Sequence, residues 1–600
     1  MSGFVALLRT DGQDAAGALI SRLAEDMAYR GPSRRAVLAQ GAFAAGISIA
    51  APASAVLDQH EGTTIAGTIR LHARTDLVRR LAAAGIRTQA GMPDGALVLR
   101  AYAAWGTACV ERLLGDFAFA LWDAKALRLL AATDRFGTRP IYYAQTAQGL
   151  LVGNSIGTML ASGWIAKTLD EKAIADYLVL GLNSDPAGTI YTQIRSLPSA
   201  HCLLANASGT RTQGYWSPLI QDGYRFHRSE DDYADELLAV LKEAVADRLP
   251  AEGPIHLTLS GGMDSGSIAG AIYSLLGPKE TQARLKAHTI VYRSMMQEEE
   301  GRYANLVGAH LGISPQILTA EISFSGTRMS EIPGSLRSLR PCISSLRNMR
   351  SPNARWPTPG MSSPVSAAIL CSSLHSPTVF DLLSREGLAA PITMARHILH
   401  HRKLPPLGLR RAAGQRLRRV PEPELPLWIN ADFARRTDMI ARVSAFRDDV
   451  RRKSPHVTMP GPFWKTDPGQ LGLPIESFYP FFDSRLMDFL LRVPAPLLRK
   501  KSLLRRAMRN LLPPEVLRRP KTALGLSSLP NRRQPQTQAR QRRIVANAPM
   551  LADYANIAVL RRCIDQPQTG TSAPLFFAEQ FAFWLSTATT GSVRNASDRK

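Results

Sequence analysis

The chain has 600 residues, of which 45% are apolar, enough for several domains with sizeable hydrophobic cores. Its formal net charge of +24 permits an anionic partner such as a nucleotide, an acidic peptide or a nucleic acid. The charge is spread along the chain and much of it is arginine, so we expect no nucleic-acid partner. The five cysteines lie far apart without a Cys-x-x-Cys pair, which indicates neither a disulfide framework nor a zinc site.

The first third of the chain, residues 1–216, is predicted to be rich in β-strands. Turn signals such as Asp11-Gly12 separate short apolar segments, and residues 170–180 have the pattern of a helix. The segments predicted as strands are Gly3–Leu8, Phe117–Trp122, Leu127–Thr133, Ile141–Tyr143 and Leu150–Gly153.

Strands and helices alternate after residue 217, which predicts a parallel sheet covered by helices. From about residue 375 the sequence pattern is mostly helical. The alternating elements are a helix over Asp231–Arg248, a strand over Ile255–Leu259, a helix over Gly266–Leu276, a strand over Ala287–Tyr292 and a helix over Glu298–Leu311.

Residues 321–370 differ in composition from the rest of the chain. Twenty-three of these fifty residues are Ser, Arg or Pro, and only Glu321 and Glu331 are acidic. No helical or strand period is visible. The segment is interpreted either as a long disordered loop or as the product of a shifted reading frame.

The strongest chemical signal is the loop Ser260–Ser265 (SGGMDS), which lies between an apolar strand and a helix. Glycines let the backbone approach a polyanion, and the helix N-terminus adds the positive end of its dipole. The hydroxyls of Ser260 and Ser265 can donate to phosphate oxygens. Asp264 suits a magnesium ion held beside the phosphates. Because the loop lacks Gly-Lys-Ser/Thr, a Walker-type kinase or motor ATPase is disfavoured.

This loop and its flanks resemble the asparagine synthetase B superfamily of ATP pyrophosphatases, which split ATP between the α- and β-phosphates to adenylate a substrate. The resemblance covers most of the chain except about 321–370 and the last sixty residues. Its further motifs are Tyr29–Pro32, Gly115–Asp123, Asp134–Tyr143, Tyr215-Trp216, Glu476, Pro480–Asp483, Lys501–Arg505, Leu511–Pro513 and Arg519–Lys521.

The resemblance implies two domains. Residues 1–216 are expected to form an α+β, glutaminase-like β-sandwich of the Ntn type. Residues 217–600 are expected to form an α/β ATP-pyrophosphatase domain with a parallel sheet and a helical C-terminal part.

The resemblance also implies a set of site residues. Lys521 is expected to stabilise negative charge near the reacting phosphate and acyl carbon, and Glu476 to orient the attacking amine or take its proton. Asp264 is the expected Mg²⁺ ligand. The residues expected to bind ATP and its pyrophosphate are Leu259, Ser260, Gly261, Gly262, Asp264, Ser265 and Tyr292.

Two departures from the family pattern bear on activity. Glutamine-using members have a cysteine where this chain has Ser2, and a hydroxyl is a far poorer nucleophile than a thiolate, so the glutaminase is expected to be inactive. Family members also carry a second loop, Gly-x-Gly-x-Asp, whose acid helps to hold Mg²⁺. Residues 361–370 stand in its place with no acid and no glycine, which motivates the hypothesis of a compensated frameshift across about 325–370.

Superfamily branches that lost the cysteine make rings, and this chain most resembles the lasso peptide cyclases of the capistruin type. An amine on the same molecule as the activated acyl group gains an effective molarity of roughly 10⁵–10⁸ M when the geometry is held. The expected reaction adenylates an Asp or Glu side chain of a precursor peptide, and the peptide's N-terminal amine then closes a macrolactam. The alternatives are a β-lactam-type or asparagine-synthetase-type ligase for small molecules, a non-catalytic scaffold, and a tRNA-modifying pyrophosphatase.

The expected cofactors are ATP and Mg²⁺, and the expected partners are the precursor peptide and a leader-peptidase protein. An enzyme that consumes ATP is expected in the cytoplasm. Arg34-Arg35 with the following Ala/Gly-rich run resembles a twin-arginine export signal, but we interpret the run as a pair of buried strands. It is too rich in Ala and Gly, and too interrupted by Pro, for a membrane span.

Overall fold

The computed structural model describes residues 2–15, 17–50, 55–89, 91–206, 208–218, 229–291, 299–319, 360–361, 422–452, 467, 469, 476–493, 495–520, 541–542, 545–546, 549–566 and 572–589. The described part of the N-terminal third consists of strands and short helices. Its strands are β1 (Gly3–Arg9), β2 (Arg34–Gln40), β3 (Phe43–Ile49), β4 (Ala55–His60), β5 (Thr63–Leu71), β6 (Gly115–Asp123), β7 (Arg128–Thr133), β8 (Tyr142–Gln145), β9 (Gly149–Gly153), β10 (Arg195–Ser196), β11 (His201–Asn206) and β12 (Gly209–Gly214). Its helices are α1 (Gly17–Asp26), α2 (Arg74–Ala83), α3 (Asp94–Trp105), α4 (Cys109–Arg112), α5 (Ile156–Ala161) and α6 (Glu171–Leu180).

These strands form two antiparallel six-stranded sheets, in the orders β10-β8-β9-β1-β3-β2 and β12-β11-β7-β6-β5-β4. The sheets pack face to face, because successive side chains of a strand point to opposite faces and both faces are buried. In β6, Ala118 and Ala120 face the other sheet, whereas Phe117 and Phe119 face α2 and α3. The outer face of the first sheet is covered by α1, α5 and α6. The predicted β-sandwich is therefore confirmed.

The segment that resembles an export signal forms the hairpin of β2 and β3. The interpretation as two buried strands is correct for β3, whose Phe43–Ser48 stretch is buried. It is wrong for β2, which is mostly exposed because it lies at the open edge of its sheet.

The second half is built on a parallel sheet in the order β15-β14-β13-β16-β17. Its strands are β13 (Ile255–Thr258), β14 (Leu285–Val291), β15 (Gln316–Thr319), β16 (Gly360–Met361) and β17 (Ser477–Phe478). The helices α7 (Glu230–Ala246), α8 (Met263–Arg284) and α9 (Glu300–Leu311) share one core with these strands. In α8, Gly277 has a non-helical conformation before Pro278, so this element is two helices joined at a kink.

The helical C-terminal part divides between the two halves of the molecule. The helices from Ser484 to Arg518 pack into the core of the parallel sheet, whereas the other described helices share a core with α1 and α6 of the sandwich. None of the described helices is long and apolar enough to cross a membrane. The described helices of this C-terminal part are Ala431–Arg436, Met439–Arg452, Ser484–Arg492, Ala495–Leu498, Ser502–Ala507, Pro514–Arg518, Ile557–Asp565 and Ser572–Thr589.

A buried ionic network joins the two halves. The Arg248 guanidinium, 1% exposed, donates to Asp483 Oδ2 at 2.9 Å and to Asp116 Oδ1, on the sandwich, at 3.3 Å. Burial alone would raise the pKa of Asp483, but the hydrogen bond from Arg485 and the charge of Arg248 outweigh it and hold that pKa well below its usual range. His72 lies beside the network, with its Nε2 4.0 Å from Asp116 Oδ1.

Removal of the central cation of this network should destabilise the whole molecule. Arg248→Gln leaves Asp116 and Asp483 buried with less compensation, and the expected loss is about 3–5 kcal/mol, seen as a lower unfolding temperature. The matched control is Arg435→Gln, because the pair of Arg435 with Asp432 is 79% and 73% exposed. That control should change stability by less than about 1 kcal/mol. Equal effects of the two variants would contradict the importance of the network.

The neutral state of His72 predicts a pH dependence of folding stability. Burial, together with the charge of Arg248, lowers the pKa of His72 to about 4 from 6.5. Between those values the unfolded chain binds a proton that the folded chain does not, so stability falls as the pH decreases from 6.5 towards 4. The difference corresponds to on the order of 3 kcal/mol. Thermal unfolding of His72→Gln should be less sensitive to this pH change than that of the wild type, and equal slopes would refute the prediction.

Candidate functional site

The loop Ser260–Ser265 connects the carboxyl end of β13 to the first turn of α8. Leu259, fully buried in the core, anchors its start. Gly261 has a φ of +63°, and a Cβ there would lie 2.5 Å from Tyr303 Cβ and 2.7 Å from the Ala304 amide nitrogen. Only glycine therefore lets the loop turn this closely against α9.

The two serine hydroxyls fix the shape of the loop. The Ser260 amide donates to Ser265 Oγ at 3.1 Å, and the two hydroxyl oxygens are also 3.1 Å apart. Gly262 is the N-cap of α8, and no side chain among the described residues caps this helix. The first-turn amides point along the helix axis toward the loop, as in other anion-binding helix N-termini.

The carboxylate of Asp264 is held by Lys501. The Lys501 Nζ donates to both Asp264 oxygens, at 2.7 Å each, and the two side chains are only 11% and 16% exposed. An acid alone would oppose the binding of phosphate. With its charge balanced by Lys501, the loop keeps the positive field of the helix N-terminus.

Glycines on α8 bring Lys501 to the loop. A Cβ on Gly266 would lie 3.3 Å from Leu512 Cδ1, and one on Gly270 would lie 3.2 Å from Leu511 Cβ. The absence of these side chains lets the segment around Leu511 pack directly on α8. Both Lys500 and Lys501 adopt left-handed conformations, with φ of 51° and 59°, at the turn before the helix Ser502–Ala507.

Arg519 adds a second cation beside the loop. Its Nη1 donates to the Ser260 carbonyl at 3.3 Å, and its guanidinium lies 4.2 Å from the centroid of the Tyr303 ring. Arg519 thus joins the loop to α9 by a hydrogen bond and a cation–π contact.

The structure brings together part of the predicted site. Leu259, Ser260, Gly261, Gly262, Asp264 and Ser265 lie in one loop, whereas Tyr292 and Lys521 lie outside the described residues. Glu476 is not brought to the loop. Glu476 directly precedes β17. Ser477 of β17 pairs in register with Gly360 of β16, and Gly360 pairs with His256 of β13. Glu476 therefore lies near the amino ends of the strands, and Ser260 begins roughly 16 Å further along the strand direction.

At that end of the sheet, Glu476 forms an ion pair between the two halves. It accepts a hydrogen bond from Arg139 Nη2 of the sandwich at 2.7 Å, and both side chains are more than nine-tenths buried. This placement gives the carboxylate a structural partner, and its predicted part in catalysis stays a prediction.

The residues present fit magnesium that arrives with ATP. No group of three or more His, Cys, Asp or Glu that could hold a metal ion is found among the described residues. Magnesium bound with a nucleotide needs only one or two protein carboxylates, since phosphates and water complete its coordination. Asp264 supplies one such carboxylate, whose two oxygens accept hydrogen bonds from the Lys501 ammonium in this structure.

The short strand β16 marks where a second acidic loop would lie. It pairs in parallel with β13, so its carboxyl end shares an edge with the Ser260–Ser265 loop. The sequence continues there as Ser362-Ser363-Pro364, without an acid. Most of the segment 321–370 lies outside the described residues, and the frameshift hypothesis stays untested.

Ser2, in the place of the glutaminase nucleophile, is fixed at the start of β1 and is 3% exposed. Its hydroxyl accepts a hydrogen bond from the Ala50 amide at 3.1 Å. Its carbonyl accepts one from Asn154 Nδ2 at 3.0 Å. The position thus carries a buried, hydrogen-bonded hydroxyl instead of a thiol.

Comparisons with known proteins agree with this architecture. The glutamine amidotransferase domain family matches residues 1–216, and the asparagine synthase family matches residues 236–324 and 407–586. The chain is therefore similar to the glutamine amidotransferase domain family in its first third and to the asparagine synthase family over much of the remainder. The asparagine synthase match is interrupted across 325–406, which includes most of the anomalous segment 321–370.

Individual relatives match the chain over a limited length. The glutamine-hydrolysing asparagine synthetase 3 of Bacillus subtilis is 31% identical over 39% of this chain and 36% of its own length. The amidase chry2 of Gibberella zeae is 30% identical over 37% of this chain and 34% of its own length. The chain thus spans about a third of the length of these relatives.

A solved glutamine phosphoribosylpyrophosphate amidotransferase from B. subtilis aligns with 62% of this chain and 77% of its own chain, at 11% identity and a TM-score of 0.27. This similarity is too low to support an inference.

Sequence reasoning missed the pairing of Asp264 with Lys501 and the contacts of Arg519. These partners are 237 and 259 positions apart from the loop residues they contact, so no spacing along the chain reveals them. The only available signal was that both cations stand in motifs shared with the asparagine synthetase family.

The close fit of Gly261 predicts a loss of nucleotide binding on substitution. Gly261→Ala places a methyl group against α9 and strains the backbone, so the loop must shift, and ATP affinity should fall about 100-fold. Gly312→Ala is the matched control, since Gly312 has a φ of +69° but open space around its Cβ. Equilibrium binding of ATP with magnesium compares the two. Unchanged affinity in Gly261→Ala would contradict the assignment of the loop.

Proposed function

We propose that this protein is an ATP-dependent, amide-forming ligase that adenylates a carboxylate and releases pyrophosphate. The single observation that carries the proposal is the arrangement of the Ser260–Ser265 loop. Its glycine-mediated turn, hydrogen-bonded hydroxyls and helix N-terminus form a cradle for a diphosphate. The cations of Lys501 and Arg519 lie beside it.

The loop residues have separate tasks in this reaction. The amides of the first turn of α8 and the hydroxyl of Ser260 hold the β- and γ-phosphates, which leave together as pyrophosphate. Asp264 holds Mg²⁺, which supplies charge neutralisation at the phosphates when bound. Lys501 then balances charge on the departing pyrophosphate. Lys521, two residues beyond Arg519, is assigned to the developing charge at the acyl carbon.

The proposed substrate is a precursor peptide, whose Asp or Glu side chain is activated and then attacked by the peptide's own N-terminal amine. The buried Ser2 supports this choice, because a hydroxyl in the place of the glutaminase cysteine leaves no source of ammonia from glutamine. The net charge of +24 favours a peptide that carries carboxylates. The product is a macrolactam of the lasso peptide type, and a leader peptidase is the proposed partner.

A second candidate is a ligase for a small carboxylic acid. Its support is the identity of the relatives, which include asparagine synthetases and the fungal amidases chry2 and chyE. In this case the amine arrives as a separate molecule and the acid is of amino-acid size.

The two candidates differ in what triggers ATP cleavage. The purified chain is incubated with ATP, Mg²⁺ and either a candidate precursor peptide encoded beside its gene or a panel of free amino acids. AMP and pyrophosphate should form with the peptide, whose mass should fall by 18 Da as water is lost on ring closure. Asp264→Asn should lower the rate by about 100-fold or more, because the metal loses its carboxylate. Chromatography of AMP and mass spectrometry of the peptide give the readout.

Other outcomes would revise the proposal. AMP formation with a free amino acid, without any effect of the peptide, favours the small-molecule ligase. Ammonia release from glutamine would show that Ser2 is active. No ATP binding with magnesium would refute the enzymatic function.

A further inference from the structure

We propose that Arg505 is a positioning residue that holds the two segments carrying Lys501 and Arg519 against the loop. Arg505 lies on the helix Ser502–Ala507, immediately after the left-handed turn that carries Lys501. Its guanidinium is only partly exposed, and its hydrogen bonds to described residues all go to backbone carbonyls. The inference deepens the proposed function and rests on it for the role of Lys521.

The guanidinium of Arg505 donates to three carbonyl oxygens. Its Nε donates to Lys500 O at 3.1 Å and its Nη2 to Arg519 O at 2.8 Å. Its Nη1 donates to Leu517 O. One rigid fork thus ties the turn before Lys501 to the segment that leads into Lys521.

The turn held by Arg505 is strained. Two consecutive residues without glycine's freedom, Lys500 and Lys501, lie in the left-handed region, which is sterically unfavourable for residues that carry a Cβ. Such a conformation persists only where surrounding contacts hold it. The contacts here are the bond from Arg505 to Lys500 O on one side and the pair of Lys501 with Asp264 on the other.

The second segment that Arg505 holds, through the carbonyls of Leu517 and Arg519, carries the Arg519 side chain, which contacts the loop directly. Because the Arg519 carbonyl is fixed by Arg505, the guanidinium of Arg519 is aimed at the Ser260 carbonyl and the Tyr303 ring. Loss of the Arg505 guanidinium would release both Lys501 and Arg519 from the loop at the same time. A displacement of about 1 Å in such groups is enough to lower a rate about 100-fold.

The neighbouring Arg506 provides a matched control. It lies on the same helix, but its side chain points to α7 and pairs with Glu230 and Asp231 at 2.9 and 2.8 Å, in an exposed cluster. Arg505 and Arg506 therefore have the same charge and helical context, but among the described residues only Arg505 contacts the segments that carry Lys501 and Arg519.

The first measurement is independent of ATP. Full-length wild type, Arg505→Gln, Arg505→Lys and Arg506→Gln are treated with a limiting amine-acetylating reagent, and modified lysines are quantified by mass spectrometry. Lys501, 11% exposed and bound to Asp264, should be protected in the wild type. Its modification should rise several-fold in Arg505→Gln but not in Arg506→Gln. The exposed Lys279 serves as the internal reference in all four proteins.

The second measurement is exchange of labelled pyrophosphate into ATP in the presence of the peptide. Arg505→Gln should lower kcat about 100-fold and also raise the KM for ATP, because a displaced Lys501 neither balances charge on the departing pyrophosphate nor offsets the charge of Asp264. Arg505→Lys, which retains the charge but not the fork, should lie between the wild type and Arg505→Gln. Arg506→Gln should stay within about twofold of the wild type.

Each outcome decides the inference. Equal Lys501 modification and equal kcat in Arg505→Gln and Arg506→Gln would overturn it. So would an Arg505→Gln protein that loses rate only in proportion to a lower unfolding temperature, with Arg505→Lys fully active. If the wild type catalyses no exchange but Lys501 is exposed only by Arg505→Gln, the positioning role stands and the proposed function fails.

Discussion

The ion pair of Asp264 with Lys501 determines the electrostatic sign of the site. A helix N-terminus attracts anions, but a free carboxylate in its first turn would repel a triphosphate. The lysine removes this repulsion at both carboxylate oxygens, in surroundings where few waters screen the charges. The remainder of the site is built around that contact. Glycines on α8 permit the close approach of the segment around Leu511 to this helix. The strained turn at Lys500 orients the ammonium of Lys501 toward Asp264.

The two halves of the molecule are held in one orientation by charges that are expensive to bury. Arg248 pairs with Asp116 of the sandwich and with Asp483, and Arg139 of the sandwich pairs with Glu476. Buried pairs of this kind contribute little net stability, because desolvation offsets their attraction, but a displaced partner leaves an uncompensated charge. The network therefore selects one arrangement of the halves over sliding alternatives. This orienting role of the sandwich does not depend on any chemistry at Ser2.

Patterns that depend on neighbouring residues were read correctly from the sequence. The β-rich character of residues 1–216 and the strand–loop–helix context of Ser260–Ser265 follow from local patterns and from the two glycines, whereas the sandwich follows from the family resemblance. The hairpin partner β2 was misjudged as buried, because an apolar strand sequence does not reveal whether its strand lies at the edge of a sheet. The hydrophobic pattern of β2 alone gives no information on pairing.

Contacts between distant segments could not be predicted from the sequence. The pairing of Asp264 with Lys501 depends on how the helices after Ser484 pack on α8, and that packing is set by the whole core. Glu476 was assigned to chemistry because it stands in a shared motif. The register of β17 places it near the amino ends of the strands, against Arg139, and its part in catalysis stays a prediction. A motif shared within a family thus marks a residue as important without distinguishing an interface from a reaction centre.

The last described helix, Ser572–Thr589, returns to the beginning of the chain. Phe577 packs on Tyr177, with ring centroids 5.6 Å apart, and Trp584 packs on Tyr191. Phe581 lies fully buried in the same core as Val5 and Ile20. Excision of the sandwich would therefore strip the terminal helices of their apolar cover and leave aggregation-prone surface. The sandwich therefore acts as a scaffold for the C-terminal helices, whatever chemistry takes place at Ser2.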